Sequence, residues 1–149
     1  MVVVAIVGIA AGLGLASLSP IAADVRLHGT ARGTAALIRT ARVHALTHHA
    51  RVRVTVSGPT ILLESCAAKY GIIGSCANAG AFAALPNQTV VVGTGDATSV
   101  KLVNSPATAV TFGSDGLPEG TPVQREFEFS NGQRTSRVVV TPAGEVRIL

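Results

Sequence analysis

The sequence predicts an α+β chain in which one long N-terminal helix, membrane-spanning in its first half and amphipathic in its second, packs on a small antiparallel β-rich head. Three observations carry this expectation. Residues 1–19, MVVVAIVGIAAGLGLASLS, hold no charged side chain, and about 20 such residues at ~1.5 Å each cross ~30 Å of hydrocarbon. Beyond them Leu27, Ala31, Thr34, Ile38, Ala41 and Ala45 step by four and three, which places them on one stripe of a helix. From Arg51 the period changes to alternation of polar and apolar residues, the pattern of a half-buried strand. The expected division is 1–19, a transmembrane helix; 20–50, its amphipathic continuation; and 51–149, a β-rich globular head.

The 149 residues leave room for one ordinary domain beside the anchor. Aromatic residues make up only 3%, so the core must be largely aliphatic. A formal net charge of +4 permits attraction to anionic lipid or nucleic acid without demanding it. Basic charge is front-loaded: Arg26, Arg32, Arg39, Arg42, Arg51 and Arg53 precede every acid except Asp24, whereas Glu119, Glu126, Glu128 and Glu145 come late.

The apolar run lacks the basic n-region of a secretory signal peptide, and Ile21-Ala22-Ala23 places a branched residue where a cleavage site prefers a small one. A spanning helix is the better reading. Its only nearby cations, Arg26 and Arg32, follow it, which by charge alone would put the head in the cytosol. An oxidised cysteine pair would conflict with that orientation, and a segment upstream of Met1 would resolve the conflict. Pro20 can kink a helix without ending it where neighbours support the backbone.

Past Pro20 the apolar stripe runs to Ala45, with Arg32 and Arg39 well off it, so one face is offered to a globular partner. Gly29 and Gly33 weaken the helix locally. His44 and His48 lie four apart on one face, but neither the H-E-x-x-H pattern nor a third ligand of suitable spacing accompanies them. Solvated or capping histidines, with His49, near a helix C-terminus are the expected role.

Residues 51–56 read as a strand, Gly58-Pro59 as a turn and residues 60–64 as the returning strand. The Ala- and Gly-rich stretch through Ala84 reads as irregular. It contains Cys66 and Cys76, which enclose the loop CAAKYGIIGSC without a C-x-x-C motif. Outside the cytosol a disulfide is the natural reading; the alternative is two independent buried thiols. Residues 89–92 and 99–103 flank Gly93-Thr94-Gly95-Asp96 and read as a further hairpin. Residues 108–112 form a strand before the turn Gly113-Ser114-Asp115-Gly116. Residues 123–129 and 137–141 form a hairpin about Asn131-Gly132, a pair suited to the two positive-φ positions of a type I′ turn. Pro142-Ala143-Gly144 turns into a last strand over 145–149.

No catalytic constellation accompanies these elements. Ser65, Ser75 and Ser130 lack a G-x-S-x-G frame. Gly93-Thr94-Gly95 precedes no helical pattern and so suits no phosphate-cradling loop. Glu126 and Glu128 share a strand face of the kind usually solvated. No catalytic residue, cofactor or metal is implied.

The run MVVVAIVGIAAGLGLASLSP resembles the hydrophobic part of a type IV pilin N-terminus, with Val2-Val3-Val4-Ala5-Ile6-Val7-Gly8-Ile9 matching in order. The leader, the Gly–Phe cleavage site and the Glu of that motif are expected upstream of Met1, and with them any support for leader cleavage and N-methylation. Three further stretches resemble the GspH/FimT family of minor pseudopilins. They are Ala36-Leu37-Ile38-Arg39-Thr40-Ala41-Arg42-Val43-His44-Ala45-Leu46, Val110-Thr111-Phe112-Gly113-Ser114-Asp115-Gly116, and the closing run from Arg137 through Pro142, Gly144 and Glu145 to Arg147. The resemblance implies a pilin-like fold and a minor pseudopilin of the type II secretion system, a single-pass inner-membrane protein with its head in the periplasm. It would assemble into a pseudopilus with other pseudopilins or pilins and with secretion-system proteins. Insertion and assembly would fall to Val2, Val3, Val4, Ile6, Val7, Ile9, Leu13, Leu15 and Leu18, while Cys66 and Cys76 would brace the head. The alternative is a FimT-like minor pilin acting in pilus assembly or DNA uptake, with nucleic acid met by Arg134, Arg137 and Arg147. Glu145 stands where that branch often carries arginine, which weakens the DNA reading. A third reading is a soluble periplasmic β domain that binds a small ligand.

Overall fold

The computed structural model describes residues 19–57, 59–66, 82–92, 100–104, 109–120 and 124–149. One helix, α1 (Ser19–His48), is followed by β1 (Val52–Ser57), β2 (Thr60–Cys66), β3 (Phe82–Val91), β4 (Lys101–Asn104), β5 (Ala109–Phe112), β6 (Arg125–Ser130), β7 (Thr135–Val140) and β8 (Val146–Ile148). The strands make two four-stranded antiparallel sheets, in the orders β3-β2-β1-β5 and β4-β6-β7-β8. The helix lies across both sheets, so the fold is α+β, as the periodicities predict.

All six stripe positions of α1, Leu27, Ala31, Thr34, Ile38, Ala41 and Ala45, are at most 1% exposed, and Ala23, Ala35 and Leu37 join them. The abundance of alanine has a physical consequence: side chains this small bring the helix backbone close to the sheets. Thr34 can sit in this seam because its hydroxyl donates to the Thr30 carbonyl at 2.9 Å. Against the stripe the sheets present Val52, Val54, Ile61 and Leu63 on one side and Phe127, Phe129, Val138 and Val140 on the other, in one contiguous core. These residues alternate along their strands, which is why the sequence pattern reveals them.

The helix ends in a Schellman motif. The Ala50 amide donates to the Ala45 carbonyl at 3.3 Å, and His49 adopts φ 48°. A residue with a Cβ is strained there, so His49→Gly is expected to stabilise the full chain by about 1 kcal/mol. A thermal melt should show this as a rise of about 3 °C, and a fall would sink the capping assignment.

Three details differ from the sequence expectation. β3 begins at Phe82, inside the stretch read as irregular. The segments about Gly93 do not form a hairpin, because β3 pairs with β2 while β4 pairs with β6 in the other sheet. Turn chemistry specifies a local reversal but not which strand the returning segment will pair with, and here the chain changes sheets. The β6–β7 turn is also one residue out of the expected frame. The Asn131 amide donates to the Arg134 carbonyl at 3.2 Å, so Gly132-Gln133 is the central pair and only Gly132, at φ 88°, needs a positive angle. Asn131 instead accepts from the Gln133 and Arg134 amides through its side chain, at 3.0 and 2.8 Å.

Edge strands are blunted. Pairing of β3 with β2 jumps from Thr89 to Ala84, and Pro86 and Asn87, at φ 61°, occupy the bulge between them. The free side of β5 is covered by the following loop, where Phe112 bridges to Pro118 and the Glu119 amide donates to the Thr111 carbonyl at 2.7 Å.

Candidate functional site

The helix α1 is fixed to the sheets at a defined junction. Arg42 donates from Nη1 to the Gly144 carbonyl at 3.0 Å, and Arg39 donates from Nη2 to the Val146 carbonyl at 3.1 Å. Both arginines thus satisfy carbonyls of the β7–β8 turn and of β8 itself. Gly144 has φ 75°, and a Cβ there would lie 3.3 Å from both Arg42 Cζ and the Gly116 carbonyl oxygen. Gly116, at φ 71°, lies in turn against Leu46, whose Cγ would be 2.7 Å from an added Cβ. The three stretches that resemble GspH/FimT segments therefore meet at one point. The helix contributes Arg42 and Leu46, the turn after β5 contributes Gly116, and the closing turn contributes Gly144.

The turn after β5 is itself rigidly held. The Gly113 amide donates to the Leu117 carbonyl at 2.9 Å, and the Leu117 amide donates to Asp115 Oδ1 at 3.0 Å. Arg51, at the foot of β1, donates from Nε to Glu119 at 2.7 Å and also pairs with it through Nη2. This contact raises the Arg51 pKa above the ordinary arginine value. On the outer face of the first sheet Arg53 donates from Nε to Glu64 at 2.8 Å and lies 4.3 Å from the Phe82 ring centroid.

The arginines considered for nucleic acid are each met by a carboxylate. Arg134 pairs with Asp24 at 2.7 Å. Arg137 lies between Glu126 and Glu128 at 3.4 and 3.5 Å, which accounts for the two acids on that strand face. Arg147 is bound by Glu145 at 2.9 Å, a contact that lowers the Glu145 pKa and raises that of Arg147. The three do not form one cationic patch stripped of counter-charge.

His44 and His48 stack with ring centroids 4.2 Å apart. Burial, and then the charge of His48, holds the His44 imidazole below its ordinary pKa. Among the described residues no three metal-ligating side chains gather.

Cys66 ends β2, is 2% exposed and is not a free thiol. Its expected partner Cys76 lies outside the described residues, as do Val2, Val3, Val4, Ile6, Val7, Ile9, Leu13, Leu15 and Leu18. Among the described residues no helix is long and apolar enough to cross a membrane.

The contact between Arg42 and Gly144 has no local signal in the sequence, since 102 positions separate them. Only the recurrence of an arginine and a turn glycine in separate family-like segments hints at it.

Comparison with known proteins is consistent with this architecture. The fold matches the type IV minor pilin FimU of Pseudomonas aeruginosa in two crystal forms. The P21 form is 17% identical with a TM-score of 0.58, covering 85% of this chain and 90% of FimU. The P65 form is 16% identical with a TM-score of 0.54, covering 83% of this chain and 92% of FimU. No curated protein matches the sequence. A model of the family described as "Type II transport protein GspH" matches residues 30–144, from the middle of α1 to the Gly144 turn, a range that includes Arg39, Arg42, Leu46, Gly116 and Gly144. The chain belongs to the GspH family, and its fold is that of a pilin-like subunit.

Proposed function

We propose that this protein is a minor pseudopilin of the type II secretion system, a structural subunit of the pseudopilus that helps move folded proteins across the outer membrane. The observation that carries this reading is the match to a type II transport family across residues 30–144, laid on a fold in which α1 is clamped to the head. In this reading residues 1–19 hold the subunit in the inner membrane and pack against other pseudopilins once it is extracted. Residues 20–50 carry the helix onto the head, residues 51–149 form that head in the periplasm, and Cys66 pairs with Cys76. Function then resides in surfaces rather than in a pocket, and no catalytic role is assigned.

The test is deletion of the gene in its host. Folded exoproteins are expected to accumulate in the periplasm while surface pili persist. Intact secretion with lost pili would overturn the reading in favour of the FimT-like alternative, to which the FimU-like fold lends support. DNA binding, a further part of that alternative, is disfavoured by the carboxylates facing Arg134, Arg137 and Arg147. The full chain in detergent is expected not to retard duplex DNA at physiological salt, whereas a shift that collapses steeply with added salt would reverse this. Periplasmic material, unreduced, is expected to resist thiol alkylation at both cysteines. Alkylation of either without reductant would exclude the pairing.

A further inference from the structure

The first turns of α1 and the β6–β7 hairpin enclose a groove open to solvent. On the helix side Ile21 and Val25 are among the most exposed large apolar residues described, at 59% and 66%. Beside them Gly29 has nothing within 4 Å of where a Cβ would stand, so the groove stays open there. Gln133 and Arg134 form the opposite wall, and Arg32 closes the upper end. The acid in the lining is Asp24, which is engaged by Arg134 at 2.7 Å. With Arg32 and Arg134 against Asp24, the formal charge of the groove is positive.

The height of the groove identifies its occupant. Asp24 is the first charged residue of the chain, and everything before it is uncharged. On the anchor reading, the uncharged residues up to Ala23 would continue the helix into the membrane at ~1.5 Å each, enough to cross ~30 Å of hydrocarbon. Ala23 already packs on the head, and the hairpin tip is tied to Asp24 through Arg134. The tip of the β6–β7 hairpin is therefore level with the end of the uncharged run. Arg32 rises about 12 Å above Asp24 along the axis. Helical side chains tilt toward the N-terminus, so its long stem carries the guanidinium back down toward the surface.

We propose that this groove is a seat for phospholipid headgroups. Ile21 and Val25 enter the interfacial layer, Arg32 meets lipid phosphates, and the hairpin, held to Asp24 through Arg134, rests on the membrane. The proposal rests on the anchor reading above, and the experiment separates the two. The isotopically labelled full chain is reconstituted one copy per nanodisc, in phosphatidylcholine alone or with 30% phosphatidylglycerol, with a trace of gadolinium-headgroup lipid. Gly144 packs on Arg42, about 27 Å further along the helix than Asp24, and serves as the internal reference.

The expected result is near-complete broadening of the Gln133 amide and the Val25 methyls with Gly144 spared. Shifts at Gln133 should also track the phosphatidylglycerol fraction, with an apparent affinity that Arg32→Gln lowers about fivefold. Equal signals at Gln133 and Gly144 would overturn the seat while leaving the anchor intact, as would indifference of the shifts to lipid charge. Perturbation appearing only when discs hold two copies would assign the groove to contacts between subunits instead. Elution of the chain free of lipid would overturn the anchor reading itself, and the seat with it.

Discussion

Truncating Phe127 to alanine is expected to lower the unfolding free energy by about 3–5 kcal/mol, against a total for a domain of this size of roughly 5–15 kcal/mol. The chain has four Phe, one Tyr and no Trp, so aromatic volume is scarce and concentrated. Among the described residues Phe112, Phe127 and Phe129 are the largest fully buried side chains. Phe127 lies opposite Val138 in the β6–β7 ladder and belongs to the core cluster that also holds the Ala stripe of α1. Neither valine nor alanine neighbours can expand to fill what a phenyl ring leaves, so most of the cavity should persist. Phe82, on an edge strand and packed on the Arg53 guanidinium, offers the contrast: its truncation should cost only about 1–2 kcal/mol. Urea titration of the full chain in detergent, followed by circular dichroism, checks both. The midpoint should fall with m unchanged. A loss below about 1 kcal/mol for Phe127→Ala would mean that helix and sheets do not share one core.

Such a core was largely legible in the sequence, for a specific reason. The positions from Leu27 to Ala45 were legible because helix period and burial coincide over five turns of α1. Strands β1, β2, β6 and β7 were legible because each alternates and because β1–β2 and β6–β7 are each joined by a short segment with Gly, Pro or Asn. β3 and β4 defeat the same logic. They are neighbours in sequence but join different sheets, and the bulge at Pro86 and Asn87 breaks the alternation of β3. The clamp between Arg42 and Gly144 was less legible still, because it is a contact between a backbone carbonyl and a side chain that no periodicity marks.

That clamp supplies the second large effect. Gly144→Ala is expected to cost about 2–4 kcal/mol, from two sources: a left-handed backbone that a Cβ strains by ~1–2 kcal/mol, and loss of about 1 kcal/mol or more as Arg42 is pushed off its acceptor. The crowding is specific, since the new Cβ would stand 3.3 Å from Arg42 Cζ and from the backbone oxygen of Gly116, and the latter cannot swing away. Arg42→Met keeps the aliphatic stem but removes the hydrogen bond, at about 1–2 kcal/mol. Because both changes strike one contact, the double variant should cost less than their sum, with a coupling of about 0.5–3 kcal/mol. Gly29→Ala, in the same helix but with nothing within 4 Å of the added methyl, should instead stabilise by up to about 1 kcal/mol. Additivity between Gly144→Ala and Arg42→Met would show that the turn is held by something other than this arginine. It would leave the meeting of the three family-like segments at Arg42, Gly116 and Gly144 without an energetic basis.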